Sequence, residues 1–236
     1  MKKELEPHSN IGKTMEDVIL GGQDGLVNVL GIVLGVAVAT NDFKVILIAG
    51  MAAAVAETIS MVAVAYTSNK AYSEYYDKEL ENEIREIKEL PDVEKQEIRE
   101  IFEKKGFEKK EIEQLVKIYS SNEKAWIDLM LAEELKMRPQ EETNPVKSSL
   151  LVGISCLIAS LIPIVPFFFA PVSDAIIYAV ILSGVILFIG GGIKSRFTLK
   201  PFLHSAIELT AIGLIAALGG YAVGLFFTLW KNTITS

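Results

Sequence analysis

Seven side chains able to hold a cation fall in one charged section of the chain: Glu83 and Glu86, Glu94 and Glu97, and Met130 with Glu133 and Glu134. Glu-x-x-Glu spacing sets two carboxylates on one side of a helical turn. If three helices bring these groups together, several oxygens and a thioether suit a divalent first-row ion such as Fe²⁺ better than Mg²⁺, because soft sulfur discriminates against hard ions. The same spacing also arises on the solvated faces of charged helices. The di-iron carboxylate signature needs Glu-x-x-His on two helices, and the only histidines, His8 and His204, lie elsewhere. A ferritin-like oxidase centre is therefore disfavoured.

A second polar set sits in apolar sequence. Asp24 and Asn28 are four residues apart, as are Glu57 and Met61, and His204 and Glu208. Each pair shares a helical face. Ionisable groups in hydrocarbon are costly and mark pathways or partners; Glu57, well inside its run, is the strongest candidate. A carboxylate there holds a cation or a proton but hardly both, and this competition couples cation movement to a proton gradient. Asp24 and His204, nearer span ends, also fit interfacial roles.

The elements that must position these groups follow from the pattern. Of 236 residues half are apolar, with net charge −7, which describes a membrane protein with a separate charged section and offers no basic patch for nucleic acid. One cysteine, Cys156, excludes an intrachain disulfide, makes a Cys-based zinc site implausible, and reads as packing. The mixed-charge N-terminus has no small-residue cleavage site after its first apolar run, so the first span is retained.

The expected fold is an all-α membrane protein with five transmembrane helices and a three-helix cytoplasmic acidic insert between spans two and three. Residues 1–67 form a polar lead-in with spans one and two, 68–145 the insert, and 146–236 spans three to five. The first span ends at Asn41 and Asp42, and the second, from Lys44 to Tyr66, runs without a break into the acidic helix. Gly31 and Gly35 have the small-xxx-small spacing of a close helix contact. The insert carries 21 acidic and 14 basic side chains. Its first helix reaches Leu90; Pro91 starts the second, Gly106 ends it, and a third runs from Glu108 to Met137. The last three spans are 148–169, interrupted by Pro163 and Pro166, then 173–193 and 202–230. Lys2, Lys3, Lys13, Lys70, Arg138, Lys147, Lys194, Arg196 and Lys200 flank one side, against Lys44 and Lys231 on the other. The positive-inside rule makes the N-terminus and insert cytoplasmic. A short N-terminus without a transit-like segment fits a prokaryotic plasma membrane.

Several motifs then resemble the vacuolar iron transporter family. They are Leu20-Gly-Gly-Gln-Asp-Gly-Leu-Val, Ser60-Met61 with Ala65-Tyr66-Thr67-Ser68, the Pro-x-x-Glu step at 91–94, and Asp128-Leu-Met-Leu-Ala-Glu-Glu. Together they cover residues 15–230, and their order is more specific than any one of them. The resemblance implies a homodimer with the ion path between subunits, exporting Fe²⁺ or Mn²⁺ from the cytosol in exchange for protons. The insert would be the metal-binding domain, with no tightly bound cofactor. The family's intramembrane aspartate falls on Asp24 and its span-two methionine on Met61. Its paired glutamates fall on Glu83, Glu86, Glu94 and Glu97, and its last insert ligands on Met130 and Glu133. Where members have a glutamate eight residues before the methionine, this chain has Ala53 and carries Glu57 one turn later; where a Met pair can occur, Leu129 precedes Met130.

The expected activity is thus proton-coupled export of a divalent metal through Asp24, Asn28, Glu57, Met61 and Glu208. The alternative from another class is a membrane-anchored metal buffer or sensor, which needs no carboxylate inside lipid. An intramembrane hydrolase lacks a His-Ser or paired-Asp constellation.

Overall fold

In the computed structural model the described residues are 11–137, 144–196 and 198–234. Lys2, Lys3, His8 and Arg138, used in the reading above, lie outside them. The described chain is helical: α1 Ile11–Thr40, α2 Phe43–Glu89, α3 Pro91–Lys104, α4 Lys109–Ser120, α5 Glu123–Glu133, α6 Pro145–Leu161, α7 Val172–Ser195 and α8 Phe202–Ile234. It divides into two compact units, Met1–Tyr66 with Asn144–Ser236, and Thr67–Thr143.

The first unit is an integral membrane bundle. Four helices, α1, α2, α7 and α8, are long and apolar enough to cross a bilayer. α6 has 17 residues. It ends before Pro163, and a short 3-10 turn, Val165–Phe168, follows, because each proline removes a helical hydrogen bond. α1 packs against α6, α7 and α8, and its Val29, Leu30 and Val33 are wholly buried with Ile46 and Ala54 of α2. Its glycines explain how one helix has so many close neighbours. A Cβ at Gly25 would stand 2.8 Å from Cys156 Sγ of α6, and one at Gly35 would stand 2.8 Å from the Gly220 carbonyl of α8. The Gly31/Gly35 face therefore meets Gly220 and Gly224 within the same chain. Asn41, in the left-handed region at φ 51°, turns the chain. Asp42 then caps α2 by accepting from the Lys44 and Val45 amides at 2.8 and 3.3 Å.

The second unit is built from the end of α2 with α3, α4 and α5. Pro91 occupies the first turn of α3 and Gly106 follows it at φ +88°, as their types dictate. The core joins Ile87, Ile98, Phe102, Ile112, Val116, Trp126, Leu129 and Met130, and Arg99 Nε donates to Glu113 at 2.7 Å to tie α3 to α4. The single helix expected from Glu108 to Met137 is instead two. It breaks at Ser121 and Asn122, where the Ser121 hydroxyl bonds the Ile118 carbonyl at 2.7 Å and the Asn122 side chain accepts from the Ala125 amide at 3.1 Å. Such side chains compete with the helical backbone and favour caps. The expected three-helix insert thus has four helical segments.

Candidate metal centres

The insert brings most of the predicted carboxylates together because α2 and α3 are joined by almost nothing. The Leu90 amide still donates to the Glu86 carbonyl at 2.7 Å, and the Glu94 amide already donates to Leu90 at 3.1 Å. The chain reverses within one residue, so the pairs on either side of Leu90 face each other. Glu83 and Glu94 are each only 3% exposed, and Glu83 Oε1 and Glu94 Oε2 have no hydrogen-bond partner. Burial, with Glu94 next, pushes the Glu83 carboxyl from an ordinary 4.5 to about 8. Burial, and then Glu97, pushes Glu94 to about 7. Glu134 is also raised, by partial desolvation first and then by Glu97 and Glu86. Glu83, Glu94 and Glu134 are thus raised by burial and by the carboxylates around them, Glu86 and Glu97 included.

Glu133 behaves differently. Its carboxylate holds Lys105 Nζ at 2.8 Å and Lys136 Nζ at 3.4 Å, which keep its pKa below the ordinary range, the Lys105 hydrogen bond contributing most. It shares with Glu97 and Glu134 a cleft of about 540 Å³, but its charge is already answered. Met130 is fully buried in the insert core. Among the described residues no three carboxylate, histidine or cysteine side chains stand close enough to coordinate one ion as they are placed. The arrangement is a splayed acidic cluster.

Within the membrane unit, α1 and α2 present their polar groups to each other. Asn28 Nδ2 donates to Glu57 Oε1 at 3.1 Å, and the Asp24 carboxyl lies close to both Glu57 and Asn28. Two helices therefore supply two carboxyls and an amide at one place. Met61 is half-buried one turn beyond Glu57. Glu208 does not join this group: its Oε2 takes Lys200 Nζ at 2.9 Å.

Two polar contacts, one at the cysteine already read as packing, escape sequence reasoning. Cys156 is wholly buried, and the Thr58 hydroxyl, on the residue after Glu57, points at its sulfur from 3.9 Å. Asp17 is buried between α1 and α6, accepting from Ser148 Oγ at 2.8 Å beside Lys13 at 3.6 Å. Asp17 precedes Asp24 by seven residues, two helical turns, and that spacing was the available signal.

A profile of the VIT family matches residues 15–225. The chain is 32% identical over 224 residues to a vacuolar iron transporter of Centaurea cyanus, covering 94% of this chain and 91% of that one. It is 30% identical over 219 residues to vacuolar iron transporter 1 of Arabidopsis thaliana, covering 92% and 88%. To the vacuolar iron transporter of Plasmodium falciparum it is 26% identical over 245 residues, covering 100% and 89%.

Proposed function

This chain belongs to the VIT family, and from that membership we propose that it exports Fe²⁺, and with it Mn²⁺, from the cytosol in exchange for protons. It is a membrane metal transporter and not an enzyme. The observation that carries the mechanism is the meeting of Asp24, Asn28 and Glu57 across α1 and α2. Two carboxyls held close together within apolar helices take up either a divalent cation or protons, and each excludes the other. Met61, one turn along α2, adds a thioether suited to Fe²⁺ over Mg²⁺. Metal enters the pair from the cytosolic side; protons entering from the far side displace it and reset the site. Glu208, answered by Lys200, lies outside the path.

The insert is the cytoplasmic collector. Glu83, Glu86, Glu94, Glu97 and Glu134 bind the ion, with Met130 supplying sulfur once its side chain turns from the core. Glu133 stays with its lysines. α6 and the 3-10 turn after it make the fifth span: 17 residues at about 1.5 Å each, plus that turn, cover the hydrocarbon thickness. Lys13, Lys147, Lys194 and Arg196 mark the cytosolic side. The subunits pair as a homodimer, which covers part of the apolar face α2 leaves open at Ile48, Val55 and Ile59.

Proteoliposomes holding a metal-sensitive dye test this reading. Fe²⁺ enters when the lumen is acidic, Glu57→Gln stops entry, and Glu94→Gln/Glu97→Gln weakens it several-fold. Entry of no metal under any gradient, with the insert still binding it, turns the protein into an anchored buffer or sensor.

A further inference from the structure

Where the first turns of α1 pass the end of α7, a groove of about 380 Å³ is lined by Met15, Ile19, Leu20 and Gln23 on one side and by Lys194 and Thr198 on the other. Its one acidic wall residue, Glu16, is answered by Lys13 Nζ at 3.3 Å. Lys194 and the exposed Arg196 have no carboxylate within ion-pair distance among the described residues. Their neighbour Lys200 is occupied by Glu208. Between Arg196 and Lys200, Leu199 stands fully in the open, and Phe202 and Leu203 beyond it are more than half exposed. The groove is therefore mostly apolar along its length, with Lys194 in its wall and Arg196 two residues further along the chain. It lies beside a loop whose hydrophobic tip suits the boundary between acyl chains and headgroups.

We propose that this groove binds an anionic phospholipid, the headgroup phosphate on Lys194 and Arg196 and an acyl chain along Met15, Ile19 and Leu20. Basic pockets between membrane helices on the positive side have the chemistry that recognises anionic headgroups. A free phosphate has no use for the apolar lining.

The test uses the full chain purified in detergent and melted with phosphatidylglycerol, with phosphatidylcholine, or with inorganic phosphate. Phosphatidylglycerol raises the melting temperature by about 4 °C or more at saturation, and the other two do not. The increment disappears in Lys194→Gln/Arg196→Gln. It also disappears in Ile19→Trp, which fills the groove and leaves the cations in place, so that a folding defect in one variant does not decide the matter. An equal rise with phosphatidylcholine or with inorganic phosphate, or an increment that survives both variants, overturns the proposal. So does a change of oligomeric state in the variants with the lipid response intact.

Discussion

The buried pair Glu83 and Glu94 makes the insert unstable to alkali unless metal is present, and Glu83→Gln should remove much of that sensitivity. Below about pH 4.5 both carboxyls are protonated in the folded and unfolded chain, and the fold bears no penalty. As pH rises past 4.5 the unfolded insert loses its protons while the folded one keeps them, up to about 7 for Glu94 and about 8 for Glu83. The unfolded state then binds fewer protons, so stability falls with pH through that window. Each tenfold difference in proton affinity is worth about 1.4 kcal/mol. After a heavy discount for solvent screening at the cluster's open side, the loss attributable to Glu83 is on the order of 2 kcal/mol. Of the two tryptophans in the chain, Trp126 lies in the insert core and Trp230 in α8. With Trp230→Phe as background, urea unfolding followed by Trp126 fluorescence reports the insert alone. Stability should drop between pH 5 and pH 8, the drop should shrink by roughly half in Glu83→Gln, and Mn²⁺ at pH 8 should restore the wild type but help the variant little. Stability that stays level or climbs over this range refutes the account of an uncompensated acidic cluster.

Three other outcomes follow from the packing. Glu208→Gln should leave transport within about twofold of wild type, since removing a half-exposed ion pair costs about 1 kcal/mol or less; the flux assay checks it. Met130→Leu keeps the core volume, so the insert should melt within about 1.5 kcal/mol of wild type, while its preference for Fe²⁺ over Mg²⁺ in competition titrations should fall. Gly220→Ala drives a methyl into the Gly31 backbone. It should cost about 1–3 kcal/mol as an overpacked contact, seen as a lower melting temperature in detergent, whereas Gly219→Ala, with open space around it, should not.

The linear chain carries the signals that act locally. Apolar run length separates α1, α2, α7 and α8 from the insert, Pro91 and Gly106 bound α3, and Glu-x-x-Glu spacing marks the pairs beside Leu90. Each depends on a residue's own backbone preferences or on neighbours within one turn, so no long-range information is needed. The break at Asn122 was also written locally, yet the apolar spacing running across it from Val116 to Trp126 concealed it.

What only the tertiary structure decided is which partner each polar group meets. Glu133 and Glu134 are equivalent by type and adjacent in sequence, but they point about 100° apart on a helix. The docking of Trp126 and Met130 into the insert core then fixes their directions, Glu133 toward Lys105 and Lys136, and Glu134 toward Glu97 and Glu86. Gly31 and Gly35 announce a close approach without naming the helix, and the answer, Gly220 and Gly224, lies far along the chain. Glu208 and Glu57 look alike as carboxylates in apolar runs. Lysine within reach makes one an ion pair, and an asparagine and an aspartate from α1 become the other's neighbours, because pairing across helices depends on packing and not on spacing.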